Sequence, residues 1–497
     1  MKIKTLRELL KGLSYESNTE GSLALPIERV VADSRQVRKG DLFIALKGPN
    51  VDGHHYIEAA IQNGAVAVVS ENGDRPLLQS RSVAHIKVTN SHRAFCQLLS
   101  RVHDLDLSKI YLIGVTGTNG KTTTSYLISH LLNRVSSCGL ISTIEYAWRD
   151  KKLKAMNTTP GQSVLIPILS QMVSEGVEYC VSEVSSHALD QERVSGLDFQ
   201  TAIFTNLTQD HMDYHKTFEH YYESKKKLFT QNQRLKHILI NADDSFGRRL
   251  GGELKKNVVT YGVNPSTQIR ISNVRFDLDG SEFDLTMQGV TYPVKSRLPL
   301  YHNIYNVAAA LVSVCGLGFP MEKLLESLGH FPGVFGRMER VDAGQPFYVF
   351  VDYAHTPDAF QNVLSSVQGV TKGRIITVFG CGGDRDRAKR PLMGKIASEF
   401  SDIIFLTDDN PRTEDPVLIR RDIRRGIPTL SHSTVLEVPD RKGAISEALT
   451  AAQPDDLVLI LGKGHERDQV IGREAFPFSD TEIAGQFLKQ QTKVTSS

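Results

Sequence analysis

The sequence predicts an α/β protein of three domains, the central one built on a mostly parallel sheet. From about residue 99 onward, short apolar runs alternate with segments of helical periodicity, the pattern of strands joined by crossover helices. Those runs repeatedly end in glycine-rich or charged clusters. A chain of 497 residues also exceeds what one hydrophobic core supports. The expected domains are residues 1–98, 99–333 and 334–497, with the second boundary in Gly329–Arg337, where His-Phe-Pro-Gly-Val-Phe-Gly interrupts the helical pattern.

Composition narrows the function before any motif does. The formal net charge is +2 with both signs well mixed, so neither nucleic acid nor a membrane surface is the expected partner. The five cysteines, Cys96, Cys138, Cys180, Cys315 and Cys381, lack metal-ligand spacing, and several fall in apolar segments where a reduced thiol packs as a small core residue. A reducing cytosol fits. Met1-Lys2-Ile3-Lys4-Thr5-Leu6 lacks the apolar stretch of a signal peptide, and no apolar run reaches membrane-spanning length, so a cytoplasmic protein without membrane insertion is expected.

Residues 1–98 read as short strands and helices: an Asp33-Ser34-Arg35 turn, a strand Asp41–Leu46 and a polar turn Gly48–Gly53. Ser34 and Asn50 either close these turns or contact a ligand's polar groups. With no catalytic cluster here, the expected role is recognition.

The central domain opens on an apolar strand, Ile110–Val115, a loop Gly117-Thr118-Asn119-Gly120-Lys121-Thr122-Thr123, and a helix from Tyr126 to Leu132. Such a loop aims backbone amides and a helix dipole at one point, where Lys121 adds a cation for phosphate and Thr122 a hydroxyl for Mg²⁺. The strict phosphate-loop spacing is not met, because the residue five before Gly120 is Val115. Two further strands end in Glu183, an acid suited to Mg²⁺, and in a loop that carries His211 and His215 among acidic residues. Lys225, Lys226 and Lys227 lie on a predicted helix, Phe218–Phe229, and the last two are expected to face solvent. Residues 258–294 suggest a strand-rich excursion. In the helix that follows, Asn303 and Asn306 share one face; either they reach a bound base or Asn303 caps the helix.

In the third domain four strands end in polar clusters: Asp352-Tyr353-Ala354-His355, Gly380–Asp386, Asp408-Asp409-Asn410-Pro411-Arg412, and Gly462-Lys463-Gly464-His465-Glu466. A parallel sheet would bring all four to one edge. Arg385 stands where the dinucleotide fingerprint needs its last glycine, which excludes a nicotinamide enzyme.

Taken together, Gly117–Thr123, Asn157-Thr158-Thr159-Pro160, Glu183-Val184-Ser185-Ser186-His187, Asp210–Asp213, His302–Asn306, Gly336-Arg337-Met338-Glu339, Asp352–His355 and Asp409–Arg412 resemble the Mur ligases, in order and across nearly the whole chain. The resemblance implies a small N-terminal α/β domain for the UDP part of a substrate, a central phosphate-loop ATPase and a C-terminal Rossmann-like domain for an incoming amino acid. It implies ATP-driven amide formation, through an acyl phosphate, on the peptidoglycan precursor UDP-N-acetylmuramoyl-L-alanyl-D-glutamate (UDP-MurNAc-L-Ala-D-Glu), by a monomer. Domain closure would assemble the site and exclude water.

The same resemblance assigns residues. Gly117, Thr118, Asn119, Gly120, Lys121, Thr122 and Thr123, with Asn303, Arg337, Asp352 and His355, would take ATP; Thr122 and Glu183 would hold one Mg²⁺ and His211 a second. Lys225 is similar to a lysine that family members carry as a carbamate, an anion able to help hold that second ion. Ser34, Asn157, Thr158, Thr159, Ser185, Gln191 and Arg193 would bind the nucleotide-peptide. Arg385, Asp409, Asn410, Pro411, Arg412, Gly462 and Glu466 would bind the amine, expected to be meso-diaminopimelate. Arg412 can pair with the second carboxylate of that amino acid but would repel the bare ammonium of lysine. The alternative for Arg412 is a strand-end cation neutralised by Glu414 or Asp415. Other enzymes of the superfamily, adding alanine, a dipeptide or glutamate, and an ATP-gated binding protein without turnover are the competing readings.

Overall fold

The computed structural model describes residues 3–17, 23–49, 51–71, 83–254 and 258–495; Asn50 lies outside them. The chain forms two compact units, Met1–Thr260 with Gly316–Phe319, and Tyr261–Cys315 with Pro320–Ser497.

The first unit contains two main sheets besides a two-stranded pair, Lys4–Thr5 with Pro26–Ile27. A five-stranded sheet runs in the order Glu16–Ser17, Ala84–Lys87, Ala67–Ser70, Leu42–Ile44 and Val30–Val31, parallel except for its first strand. Alternate residues feed opposite faces: Leu42, Ile44, Val69 and Ile86 enter one core, and Phe43, Ala45 and Val68 the other. In the second sheet, Cys138–Ile141, Tyr179–Glu183, Tyr111–Thr116, Thr201–Phe204 and His237–Asn241 lie side by side and parallel. Glu145–Trp148 and Lys151–Lys154 add an antiparallel hairpin at the edge. Every residue of the edge strand Lys151–Lys154 is exposed, three of them lysines, which blunts that edge against pairing with another chain.

Chain order is not spatial order. Tyr111–Thr116 comes first of the five, yet stands between the third, Tyr179–Glu183, and the fourth, Thr201–Phe204. The connections therefore diverge at its carboxyl end and leave a crevice there, the place where open α/β sheets take ligand.

The second unit carries the excursion expected after residue 258, an antiparallel run of Ile269–Phe276, Ser281–Met287 and Val290–Ser296, followed by the helix Tyr301–Cys315. Its main sheet runs Glu339–Arg340, Tyr348–Asp352, Leu457–Leu461, Ile375–Phe379, Ile403–Leu406 and Thr434–Glu437, parallel apart from the first strand. Phe350, Phe379, Leu406 and Leu459 pack on one face and Val351, Val378, Phe405 and Ile460 on the other, so helices can cover both. Because the strands are parallel, their carboxyl ends, with the four polar clusters, share one edge. No helix among the described residues is long and apolar enough to cross a membrane.

Candidate active site

The loop after Tyr111–Thr116 is held from the neighbouring strand. Asn206 accepts from the Thr118 amide with its carbonyl and from the Asn119 amide with Oδ1, each at 2.9 Å, while Thr205 Oγ1 donates to the Asn119 carbonyl at 2.6 Å. Gly117 has φ +151°, and a Cβ there would collide with Thr205 Oγ1. Gly120 has φ +84° and starts the helix Lys121–Asn133, a left-handed conformation that costs glycine little. Gly114, by contrast, lies inside the strand, where a Cβ would press on Phe199 and Leu228. The imperfect phosphate-loop spacing thus has a physical reason: Gly117 and Gly120 shape the loop, and Gly114 makes room for packing. Thr123, buried, follows in the first helical turn, whose amides lack intrahelical partners.

Glu183 reaches the same crevice from the adjacent strand. Its carboxylate is fully buried and accepts from Thr122 Oγ1 at 3.0 Å, from the Thr143 amide at 2.9 Å and from Thr143 Oγ1 at 3.2 Å. Among the described residues it has no salt bridge. A buried carboxylate beside a threonine hydroxyl, with only neutral donors around it, fits a hard divalent cation.

Lys225 comes from the helix Phe218–Thr230. It is 1 % exposed, donates to the Gly117 carbonyl at 2.7 Å and lies 4.4 Å from the centre of the Tyr221 ring. Burial, reinforced by the Lys121 cation, holds its amine well below the usual lysine range. Lys121 donates to the Gly117 and Thr118 carbonyls at 3.0 and 2.7 Å. The helix turns Lys226 to Glu223 and Glu253, and Lys227 to Asp190, as partly exposed ion pairs. His211, at φ +57°, begins the short helix Met212–His215; its ring meets His187 edge-on at 4.7 Å, and lost hydration followed by Lys121 and Lys225 lowers its pKa. His215 is buried against Ser186 Oγ at 2.9 Å.

Five of the seven residues assigned to the nucleotide-peptide form one chain of contacts starting beside Glu183. Thr159 Oγ1 donates to the Glu183 carbonyl at 2.8 Å and accepts from the Ser185 amide at 3.0 Å. Arg193 donates to the Thr159 carbonyl at 3.1 Å and, twice, to Gln191 Oε1. Thr158 Oγ1 accepts from Thr143 at 3.1 Å. Asn157 is tied through its backbone to the Tyr146 hydroxyl. Arg193, half-buried, makes no salt bridge among the described residues, and burial lowers its pKa. That leaves a guanidinium in want of an anion. Ser34 stands apart in the five-stranded layer, where its carbonyl accepts from Asn63 at 3.0 Å.

In the second unit, Asn303 lies within the helix Tyr301–Cys315 rather than at its cap; its amide donates to the Pro299 carbonyl at 2.7 Å and its Oδ1 accepts from Asn306 at 2.9 Å. Arg337 lies 4.7 Å from the Tyr353 ring, which also meets His355 and His465 at 4.5 and 4.7 Å. Burial raises the Asp352 carboxyl, countered by Arg337 and by the Met338 and Ala354 amides it accepts from at 2.7 and 2.8 Å.

The amine-side residues meet at the sheet edge. Asn410 Nδ2 donates to Glu466 Oε2 at 2.8 Å, and Gly462, at φ +114°, faces Asp409 closely. Arg412 donates to the Gly383 carbonyl at 2.8 Å, which joins the Pro411–Arg412 loop to the exposed Arg385 loop. The two acids offered as neutralisers of Arg412 are engaged elsewhere. Glu414 pairs with Arg390 at 2.9 Å and Arg387 at 3.1 Å, and Asp415 caps the helix Pro416–Arg424. Lys463 escaped the sequence reading as a site residue: it is fully buried and bonds both Asn410 and Glu466. So did Thr143, which follows a strand as an ordinary turn residue.

Three family models match, the Mur ligase family catalytic domain over residues 26–103, the Mur ligase middle domain over 115–314 and the Mur ligase glutamate ligase domain over 336–464. A UDP-N-acetylmuramoyl-L-alanyl-D-glutamate--2,6-diaminopimelate ligase of Clostridium tetani is 39% identical over 98% of this chain and 99% of its own. The chain belongs to the Mur ligase family. Among other Mur ligases, the enzyme of the same name from Geobacillus thermodenitrificans is 40% identical over 99% of this chain and 100% of its own. A solved structure of a ligase of that name shares 31% identity with a TM-score of 0.72, covering 99% of this chain and 100% of that one. MurF from Acinetobacter baumannii, 16% identical with a TM-score of 0.61 over 93% of this chain and 96% of its own, shares the Mur ligase fold.

Proposed function

We propose that this Mur ligase joins meso-2,6-diaminopimelate to UDP-N-acetylmuramoyl-L-alanyl-D-glutamate, with ATP converted to ADP and phosphate, in cytoplasmic peptidoglycan precursor synthesis by a monomer. Full-length similarity to ligases of that name supports the substrates. The observation that carries the choice of amine is Arg412, whose nearby acids Glu414 and Asp415 are occupied by other partners. Asp384, whose carboxyl Arg412 helps to lower, is exposed and bonded to Thr413, so the Arg412 charge can also answer the second carboxylate of diaminopimelate, which lysine lacks.

The γ-carboxylate of D-glutamate attacks the γ-phosphate of ATP, ADP leaves, and an acyl phosphate results. The amine then attacks the acyl carbon, phosphate leaves, and the nitrogen gives up a proton. Lys121 and the amides at Gly120–Thr123 bind the phosphates and spread their charge. Asn303, Arg337, Asp352 and His355 bind the rest of ATP. Arg193, oriented by Gln191 and Thr159, holds the anionic acceptor near Glu183. Thr122 and Glu183 would hold one Mg²⁺, and His211 with Lys225 a second; bound there, these cations lower the repulsion between carboxylate and triphosphate. Lys225 fits that task only as a carbamate. Its amine, whose pKa burial lowers, adds as the free base to carbon dioxide and releases a proton, and the product presents oxygens where an ammonium would repel the cation.

The test is phosphate release from ATP and Mg²⁺ with the nucleotide-dipeptide and the amino acid supplied together or singly. Release that requires both acceptor and amine is expected. No release under any combination would favour a binding protein that kept the loop and lost turnover.

A further inference from the structure

We infer that Lys463 is a positioning residue of the amine site, fixing Asn410 and Glu466 in the arrangement that leaves one carboxylate oxygen for the incoming ammonium. This rests on reading Asn410 and Glu466 as amine-binding residues. Lys463 has 0 % exposure, an unusual place for a cation, and its surroundings explain how it is tolerated. Its Nζ donates to Asn410 Oδ1 at 2.9 Å, to Glu466 Oε2 at 2.9 Å and to the Asp468 carbonyl at 2.8 Å. An ammonium has three protons and no acceptor, so all are used.

The arrangement determines what its neighbours can offer. Asn410 Oδ1 accepts from Lys463 and also from the Val470 amide at 2.9 Å. Rotating that amide by half a turn would set its NH₂ against two donors, so Nδ2 is confined to the other side, where it donates to Glu466 Oε2 at 2.8 Å. Glu466 Oε2 therefore receives two donors from within the protein. Oε1 has no hydrogen bond among the described residues, and the side chain keeps 31% exposure. One oxygen is anchored and the other remains as acceptor for a substrate ammonium. Without Lys463, both the amide orientation and the carboxylate rotamer lose their common constraint.

The test compares Lys463→Met and Lys463→Gln with the wild type in steady-state phosphate release, varying each substrate in turn. The KM for meso-diaminopimelate should rise on the order of 10- to 100-fold, as expected for a misplaced binding group, while the KM values for ATP and the nucleotide-dipeptide stay unchanged. An unchanged diaminopimelate KM, or an equal rise in all three, would overturn the inference. A double-mutant cycle with Glu466→Gln should show overlapping rather than additive effects, because Lys463 acts through Glu466. Strict additivity would count against it. Should neither variant fold, ¹⁵N-lysine-labelled wild type supplies the readout: a slowly exchanging side-chain ammonium signal that shifts with meso-diaminopimelate and not with ATP is expected, and a spectrum indifferent to the amino acid would overturn the assignment. A wild type that turns over with no diaminopimelate would instead sink the functional reading, and that is visible before any variant is made.

Discussion

Lys225 has given up water for a single backbone carbonyl, and its neighbour Lys121 shares that acceptor. Two lysines so placed are costly unless one is neutral or modified. Lys225→Ala is accordingly expected to lose about 10²- to 10³-fold in phosphate release, the scale of a deleted electrostatic group. Added short-chain carboxylates should restore part of it, and full activity of the variant without them would remove the carbamate role. His465 makes a second residue-scale prediction. Burial first, then Arg337 and His355, lower its imidazole to about 3. The folded protein thus holds it neutral while the unfolded chain protonates near the ordinary 6.5. Between those values the unfolded state binds more protons, so stability falls as pH drops from 6.5 towards 3. A plot of Tm against pH should be flatter over that window in His465→Gln than in the wild type; parallel plots would contradict the assignment.

At the scale of elements, the glycine-rich turn before Met338 and the turn after Leu457–Leu461 fit backbone to backbone. Gly336 has φ +66°, and a Cβ there would collide with the His465 amide and the Gly464 backbone. Gly336→Ala should cost on the order of 2–5 kcal/mol from the left-handed conformation plus overpacking, read as a shift of the urea midpoint; a change within error would refute it. What the sequence made legible follows from the same geometry. Strand-end clusters can be read from one chain because parallel strands deliver their carboxyl ends to a common edge, wherever the helices run. The phosphate loop was legible for the same reason. Lys463 was not, because Asn410, its partner, lies 53 positions away and only the folded sheet brings them together. Nor could local pattern separate Gly114, which makes room for Phe199, from the two glycines that shape the loop. Asn303 looked like a cap because the sequence shows polarity at a helix start but not that Tyr301 already begins the turn.

At the scale of the whole molecule, the boundary between compact units falls between Thr260 and Tyr261, inside the strand Val258–Gly262 and just before the turn residues Gly262 and Asn264-Pro265. The phosphate loop, Glu183, Lys225 and Arg193 all belong to the first unit, and Arg337, Arg412, Lys463 and Glu466 to the second. On the proposed roles, the residues for amine selection fall in the second unit, while those for ATP and acid activation are drawn from both, since Asn303, Arg337, Asp352 and His355 also belong to the second. This division predicts that substitutions at Arg412 change which amine is used without abolishing the demand for ATP and the nucleotide-dipeptide. The choice of amine is decided by the rate of phosphate release by the wild type with ATP, Mg²⁺ and UDP-MurNAc-L-Ala-D-Glu, with meso-diaminopimelate or L-lysine as the amine. A rate with meso-diaminopimelate far above that with L-lysine is expected; equal rates would refute diaminopimelate as the preferred amine.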